Sequence, residues 1–325
     1  MTIKGIGLFS GGLDSILAFK LIAQQGIEVL GITFETPFFG AAKARTTARR
    51  IGLNLAVIDF TAEHLAMLHS PRYGYGRNMN PCIDCHTLML KVAGRRMEEE
   101  GADFLFTGEV LGQRPMSQGR QMLQVVAKNA GYPERILRPL SARLLDETAP
   151  EREGKVDRSA LLDLQGRGRK PQMELAARYG IDFYPPPAGG CLLTDPMFTR
   201  RLRDLFARHP GHTVRDIELL KVGRHFLLDE STKAVVGRNA MDNATIEKLA
   251  AAGDALLRIS RFPGPTVLVP GGGDEAARLM AARLCIRYSD APRDSEALVN
   301  CLCKGSATEL VARGLTPEET EQRLL

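Results

Sequence analysis

The sequence predicts an α/β protein in which a parallel sheet is followed by a smaller α+β domain. In the first half of the chain, short apolar runs rich in β-forming residues alternate with helical patterns. The helical patterns end at glycine, which stops a helix because it accepts positive φ without a Cβ clash. Strands alternating with helices form right-handed crossovers, and these produce a parallel sheet covered on both faces. From about residue 212 the alternation gives way to a hairpin pattern and longer helices.

The elements can be placed in chain order. The predicted strands are residues 5–9, 28–34, 54–60 and 103–107, and the predicted helices are 14–25, 41–51 and 86–100. Residues 141–190 are polar and rich in proline and glycine, so we interpret them as an extension and linker. The last part of the chain is predicted to hold a hairpin over 225–239, a helix over 243–260, a strand over 264–270, a helix over 274–289 and a capping box at Thr316, Pro317 and Glu319. We therefore expect a first domain over 1–190, a connecting segment over 191–211 and an α+β module over 212–325.

Composition and charge limit the class of protein. The chain has 325 residues, 44% apolar and 25% charged, which is ordinary for a globular protein and long enough for two domains. It contains no apolar run of membrane-spanning length and no secretory signal, so we expect no membrane partner, a cytoplasmic location and cysteines that serve as metal ligands or catalysts. Residues 114–208 hold 17 Lys and Arg against 11 Asp and Glu. This excess suits a polyanion such as nucleic acid, or simply a solvated face.

The stretch SGGLDS directly follows the first predicted strand. Two adjacent glycines allow successive backbone N–H groups to converge on an anion, and the following helix adds its positive dipole end. The loop is no Walker A motif, because no lysine follows the glycines, and the dinucleotide pattern G-x-G-x-x-G is absent. Asp14 is either a helix cap or, near phosphates, a magnesium ligand. The residues that form this candidate anion site are Ser10, Gly11, Gly12, Leu13, Asp14 and Ser15.

SGGLDS after a first strand resembles the PP-loop of the ATP pyrophosphatase superfamily, which has an adenine nucleotide α-hydrolase-like fold. The resemblance implies that the loop holds the pyrophosphate part of ATP while the α-phosphate is attacked, and that ATP and Mg²⁺ are cofactors. It also implies that Phe34, at the end of the second strand, seats the adenine.

The six cysteines fall into two groups. Cys82 and Cys85 form a Cys-x-x-Cys at the entry of a helix, where the helix N-terminus is expected to lower the thiol pKa. Such a pair alone is ambiguous between zinc, a redox pair and an iron–sulfur site. Cys191, in the stretch GGC, is the best candidate for a third member of that group. For the remaining cysteines, Cys285, Cys301 and Cys303, the spacing on a helix or strand favours core packing.

Residues 101–118, with TGE, LGQ and SQ, resemble the PP-loop domain of tRNA 4-thiouridine synthetases, and ILRPL continues the likeness. This resemblance adds Gly108 and Gln113 to the expected ATP site. The pairing of NPCIDC with a later GGC is similar to the tRNA 2-thiouridylases and to the iron–sulfur-dependent tRNA thiolation enzymes. In the latter, three cysteines hold a [4Fe-4S] cluster, which implies that Cys82, Cys85 and Cys191 are catalytic metal ligands here.

The stretches KVGRHFLL, KAVVGRN, GPTVLV and AARLCIRYSDAP resemble the RNA-binding module of NFACT ribosome quality-control proteins. A dimerisation or packing module is the alternative. Together the resemblances imply an ATP-dependent tRNA sulfurtransferase that adenylates a uridine carbonyl oxygen, with Asp14 and the three cysteines as catalytic residues. The implied partners are tRNA and a sulfur donor, either sulfide or a persulfide carrier such as a desulfurase; a second copy of the chain is a further candidate.

Three alternatives to this function remain open at the level of sequence. The first is thiolation through a cysteine persulfide without a cluster. The second is a PP-loop amidase or ligase with a zinc-bound cysteine pair. The third is a non-catalytic RNA-binding protein that has kept a nucleotide-binding fold.

Overall fold

The computed structural model describes residues 2–114, 116–186, 190–292 and 295–325. The chain divides into two compact units, with the boundary between Thr194 and Asp195. The segment that we expected to connect two domains, 191–211, therefore contributes its first residues to the first unit and the rest to the second. Part of the proline and glycine stretch before Cys191, residues 187–189, lies outside the described residues.

The first unit is built on a five-stranded sheet in which every pair of neighbours is parallel, so the predicted fold class is confirmed. The strand order is β3-β2-β1-β4-β5. The strands are β1 (Lys4–Leu8), β2 (Glu28–Glu35), β3 (Leu55–Asp59), β4 (Phe104–Thr107) and β5 (Ile136–Leu137). Strand β5 has two residues, too few to give a recognisable alternation in the sequence.

Helices cover both faces of this sheet. They are α1 (Leu13–Ala23), α2 (Ala42–Ile51), α3 (Thr61–His69), α4 (Cys82–Glu99), α5 (Arg120–Ala130), α6 (Ala149–Arg152) and α7 (Lys170–Arg178). Helix α2 ends at Gly52 with φ of 66°, as its glycine stop signal predicts. Helices α3, α5, α6 and α7 were not predicted. Residues of α1 and α7 contribute to one core and residues of α4 and α5 to another, so each face of the sheet is buried.

The range 141–190 contradicts its interpretation as an extension and linker. Ala142, Val156, Leu161 and Ala176 are buried in the same core as helix α1. These apolar residues, which polar stretches separate in the sequence, pack this range onto the core of the first unit. Because they follow no helical or strand period, the sequence alone gave no sign of their burial.

The second unit contains a six-stranded antiparallel sheet of order β11-β10-β8-β9-β7-β6. Its strands are β6 (Arg224–Leu227), β7 (Lys233–Val236), β8 (Ala255–Ile259), β9 (Val267–Val269), β10 (Glu296–Cys303) and β11 (Ser306–Arg313). Its helices are α8 (Pro196–Arg208), α9 (Val214–Leu219), α10 (Ala240–Leu249), α11 (Glu275–Arg287) and α12 (Pro317–Glu321). Among the described residues, no helix is both long and apolar enough to cross a bilayer.

The elements predicted for this unit are confirmed with one exception. The hairpin, the strand over β9, the helix over α11 and the capping box between Thr316 and Glu319 are present. The helix predicted over 243–260 is wrong in its second half, because α10 ends at Leu249 and Ala255–Ile259 form β8. Gly253 and Asp254 separate the two elements, and a helix rarely continues through such a pair.

Candidate functional site

The SGGLDS loop joins β1 to α1 and has a conformation that only glycine accepts at its centre. Gly11 has φ of 72°, and a Cβ there would lie 2.9 Å from the Cα of Ala44. The Thr47 hydroxyl donates a hydrogen bond to the Gly11 carbonyl at 3.2 Å, which ties the loop to α2. Within the loop, the Gly12 N–H donates to Ser10 Oγ at 3.3 Å, and Ser15 Oγ donates to the Gly12 carbonyl at 2.8 Å. The loop is therefore held in shape before any ligand arrives.

Gly108 supports this loop from behind. A Cβ at Gly108 would lie 2.7 Å from the backbone nitrogen of Ser15 and from the carbonyl carbon of Asp14. The chain leaving β4 thus packs directly on the first turn of α1, and a side chain at this position would push the turn away. We assign Gly108 to the positioning of the loop.

Asp14 lies in the first turn of α1, next to the loop. Its Oδ2 accepts a hydrogen bond from Gln113 Nε2 at 3.1 Å, and its Oδ1 is buried with no hydrogen-bond partner. Burial raises the pKa of Asp14, while the Gln113 amide and the charges of Arg169 and Arg114 counteract part of this rise. An oxygen that is buried and unpartnered in the free protein is a fitting ligand for Mg²⁺, which prefers carboxylate oxygens.

Three cationic side chains lie near the loop: Arg169 and Arg114 act on Asp14, and Lys43 lies near Gly12. The Lys43 Nζ approaches Gly12, and burial together with the charge of Arg169 lowers the pKa of Lys43. Arg169 lies at the N-terminus of α7, and Arg114 follows Gln113 in the loop after β4. Polyphosphates are bound by such converging positive charges. For Arg114 and Arg169 the only signal in the sequence was the basic excess over 114–208, which does not indicate where the charges meet, and Lys43 lies outside that range.

Phe34 lies at the end of β2, as expected, but its ring belongs to the core. It is 5% exposed, and its ring centroid lies 4.8 Å from that of Phe60. The ring is therefore already packed on a second aromatic side chain.

The three candidate cysteines come together at one corner of the first unit. Cys82 begins α4, and Cys85 lies one turn later. Cys191 lies near both, because a short tether, formed by hydrogen bonds between residues 78–79 and residues 193–194, holds its segment close to the start of α4. In that tether the Met79 N–H donates to the Leu193 carbonyl at 3.2 Å, and Asn78 Nδ2 donates to the Thr194 carbonyl at 2.7 Å. After burial, the nearby Cys191 and Cys82 thiols are the next causes that raise the pKa of Cys85.

The expectation that the helix N-terminus lowers these thiol pKa values is wrong. Burial raises the pKa of all three thiols, and that of Cys191 reaches about 11. Arg114 and Asn80 offset only part of the rise at Cys82. The desolvation of a buried thiolate outweighs the helix dipole here.

A donor set of three thiols suits iron–sulfur chemistry in kind. Within the described ranges, however, no three His, Cys, Asp or Glu side chains are grouped closely enough to hold a metal ion. Binding a cluster would therefore require the three thiols to approach one another further. His64 is a polar neighbour of Cys85: its Nε2 lies 3.6 Å from the Cys85 Sγ, and burial lowers the pKa of His64 to about 4.

Glu109, from the TGE stretch, anchors the cysteine helix to the sheet. It accepts hydrogen bonds from His86 at 3.0 Å, from Thr107 at 3.0 Å and from Arg138 at 3.2 Å. Burial alone would raise the pKa of Glu109, but the hydrogen bond from His86 and the charge of Arg138 lower it to about 2. In the sequence, TGE indicates only a family likeness, and this role of Glu109 was not predicted.

Arg114 links the loop and the cysteine corner electrostatically. Its charge lowers the pKa of Asp14 and also that of Cys82, so it lies within electrostatic reach of both.

The other cysteines are apart from this site. Cys285 and Cys301 are buried in the core of the second unit and Cys303 packs against it, as their spacing predicted.

The two parts of the chain match two different family models. Residues 2–144 match the model described as thiamine biosynthesis protein (ThiI), and residues 223–323 match that described as NFACT protein RNA binding domain. The chain joins a ThiI-type domain to an NFACT RNA-binding-type domain. In the ThiI-type domain, the matched residues include SGGLDS, the Cys-x-x-Cys and the TGE stretch.

Individual relatives are similar to parts of the chain. A tRNA-specific 2-thiouridylase MnmA of Pelobacter propionicus is 28% identical over 190 residues, covering 53% of this chain and 48% of that protein. A probable tRNA sulfurtransferase of Finegoldia magna is 32% identical over 143 residues, covering 43% and 36%. A solved structure described as a predicted subunit of tRNA methyltransferase from Methanocaldococcus jannaschii has 18% identity and a TM-score of 0.34, covering 54% of this chain and 76% of that one. The chain spans less than half the length of these two curated relatives.

Proposed function

We propose that this protein is an ATP-dependent tRNA thiolation enzyme that replaces a uridine carbonyl oxygen with sulfur, of the 4- or 2-thiouridine type. The observation that carries the proposal is that the Asp14 carboxylate of the SGGLDS loop and the Cys82 thiol of the cysteine corner both lie within electrostatic reach of one side chain, Arg114. A nucleotide site alone serves many reactions, and a cysteine corner alone serves several. A site that can activate a carbonyl oxygen, next to a site that can carry sulfur, supports a reaction in which sulfur replaces that oxygen.

The first half of the reaction is adenylation. The uridine carbonyl oxygen attacks the α-phosphorus of ATP, the bond to the β-phosphate bridging oxygen breaks, and pyrophosphate leaves. The backbone of Ser10–Ser15 and the charges of Lys43, Arg114 and Arg169 hold the departing pyrophosphate. When bound at Asp14, Mg²⁺ neutralises phosphate charge. This is catalysis by positioning and charge stabilisation, and it needs no protein nucleophile.

The second half of the reaction introduces sulfur. A hydrosulfide-level sulfur attacks the activated carbon, and AMP leaves with the original oxygen. We propose that the sulfur is presented at the corner formed by Cys82, Cys85 and Cys191. We further propose that these residues ligate a [4Fe-4S] cluster, which would supply an iron without a protein ligand to bind hydrosulfide.

Anaerobic purification tests the cluster. Iron and labile sulfide that depend on each of the three cysteines support it. Their absence, together with retained thiolation, supports the persulfide route, in which a second cysteine and an external thiol reductant resolve the disulfide.

We propose that the second unit provides a surface for RNA. Its match to an RNA-binding model over residues 223–323 supports tRNA as the substrate. The names of the relatives matched by the first unit support the same class of substrate.

Purified full-length protein, tRNA, Mg·ATP and sulfide under anaerobic conditions test the function as a whole. The proposal predicts equal amounts of AMP, pyrophosphate and thionucleoside. Turnover of ATP to AMP with ammonia incorporated in place of sulfur would instead identify an amidase. Absence of AMP formation with total tRNA would leave RNA binding as the function.

A further inference from the structure

Gln172 lies in the first turn of α7 and is 1% exposed, yet neither its Oε1 nor its Nε2 makes a hydrogen bond. A primary amide offers two donors and an acceptor, and a buried amide with all of them unused is costly to the folded state. Buried polar groups are nearly always paired, so one that is not paired calls for an explanation.

The unpaired amide lies beside the catalytic loop. Its side chain lies close enough to Asp14 to lower the pKa of that carboxyl as a weak hydrogen-bonding neighbour, although no hydrogen bond of ordinary length joins the two groups. Asp14 Oδ1 is likewise buried without a hydrogen-bond partner. Two unpaired polar groups, one from the first turn of α1 and one from the first turn of α7, thus lie side by side.

The surroundings indicate what would pair them. Arg169 and Arg114 carry positive charge near Asp14, and Lys43 lies within electrostatic reach of Arg169, so a lone cation would be repelled. A cation bound to a polyphosphate suits the site better, because the oxygens of Asp14 and Gln172 would face the cation and the basic side chains would face the phosphates. Oxygen donors of the carboxylate and amide type are those that Mg²⁺ and Mn²⁺ prefer.

We infer that Gln172 is a ligand-binding residue which, together with Asp14, holds the divalent cation of a bound metal–polyphosphate. The inference rests on the proposed ATP site and adds to it a residue from outside the PP-loop. The first turn of α7 therefore belongs to the nucleotide site, although the stretch that leads into it, GRGRKPQ, contains no recognised motif.

A ligand-binding role and a structural role of Gln172 predict different effects of its substitution on the stability of the free protein. If Gln172 is kept for its ligand, its amide weakens the free protein. Gln172→Leu, which has a similar volume and no polar atoms, should then leave the free protein at least as stable as the wild type. If Gln172 serves the fold, the same change should lower the unfolding temperature with and without ligand.

The test uses the full chain, Mn²⁺ and a non-hydrolysable ATP analogue with a methylene bridge between the α- and β-phosphates. Bound Mn²⁺ is followed by electron paramagnetic resonance, and thermal unfolding is recorded with and without the Mn²⁺–analogue complex. We expect Gln172→Leu to weaken Mn²⁺–analogue binding about tenfold or more and to reduce the stabilisation by ligand accordingly. Gln172→Glu, which restores an oxygen ligand, should recover cation binding. Met173→Leu, the exposed neighbour on the same helix, is the control and should match the wild type.

Equal binding by the wild type and Gln172→Leu would overturn the inference and leave the proposed function intact. A lower unfolding temperature of Gln172→Leu without ligand, with unchanged affinity, would also overturn it in favour of a structural role. Failure of the wild type to bind Mn²⁺ and the analogue at all would overturn both the inference and the ATP dependence of the proposed function.

Discussion

Gln113 Nε2 donates a hydrogen bond to Asp14 Oδ2 at 3.1 Å, so the loop after β4 and the loop after β1 meet at one carboxylate. The two residues are 99 positions apart in the chain. Strands β1 and β4 are neighbours in a parallel sheet, and their carboxyl ends lie at the same edge. Ligands of such sheets bind beyond that edge, so this bond fixes the floor of the candidate ATP site.

Removing the donor of this bond tests its role. Gln113→Ala leaves both oxygens of Asp14 without a partner, and we expect the KM for ATP to rise several-fold with a loss of about 1 kcal/mol of stability. Steady-state AMP formation and chemical unfolding measure the two effects. Gln124→Ala is the matched control, because Gln124 makes an exposed bond of the same kind and length to Asp146. An unchanged KM in Gln113→Ala would show that the bond is only structural.

Gly108→Ala tests the close packing behind the loop. The new Cβ would lie 2.7 Å from backbone atoms of Asp14 and Ser15, which cannot move aside as a flexible side chain would. We expect a loss of about 1–3 kcal/mol of stability and a greater loss of ATP binding, because the loop is displaced. Gly40→Ala, where a Cβ meets nothing within 4 Å, should be neutral. A fully active and stable Gly108→Ala variant would contradict the packing described here.

Arg169→Met tests the cations around the loop. Loss of one positive charge from the phosphate site should raise the KM for ATP about tenfold. Arg167→Met is the control, since Arg167 is exposed and lies two residues earlier in the same basic stretch. Binding of the ATP analogue at two salt concentrations measures the effect. Equal affinities of the two variants for the analogue would mean that the basic stretch acts only through net charge.

Glu109 predicts how the stability of the first unit depends on pH. Its pKa is about 2 in the folded chain against an ordinary value of 4.5. The carboxylate therefore stabilises the fold fully above pH 4.5, and this contribution, about 3 kcal/mol, is lost as the pH falls toward 2. Glu109→Gln should be less stable at neutral pH and should unfold with a flatter pH dependence below pH 4.5. Glu134→Gln, at an exposed ion pair with Arg152, is the control; identical pH profiles for the two variants would contradict the assignment.

The cysteine corner is tested by separating activation from sulfur transfer. Cys82→Ser and Cys191→Ser should abolish thionucleoside formation while a substantial rate of tRNA-dependent AMP formation remains. Cys303→Ser, in the second unit, should behave as the wild type. Retained thiolation in both first-unit variants would exclude these thiols from sulfur delivery.

The alternation of strands and helices, the loop and the cysteine pair were predictable because each is a local pattern. The two adjacent glycines of residues 10–15 restrict the loop to a few backbone geometries, and the glycines that follow α1 and α2 are visible in the sequence. The positions of Lys43, Arg169 and Gln172 were not predictable, because their roles arise from packing between elements far apart in the chain. Gln172 in particular lies in a stretch whose polar composition indicated a linker.

Two further predictions were wrong for physical reasons that the sequence does not show. The lowered thiol pKa was expected from the helix N-terminus alone, whereas burial in the folded unit has the larger effect. The helix predicted over 243–260 combined α10 and β8, because alanine and leucine residues continue the helical composition into a strand whose partners are distant in sequence.

Mass spectrometry of nucleosides from total tRNA tests the central claim most directly. Cells that lack the protein are compared with cells that carry the wild type and with cells that carry Asp14→Ala at equal protein abundance. The account predicts a nucleoside with one oxygen replaced by one sulfur that is present only with the wild type. The same thionucleoside at the same level in all three samples would contradict it.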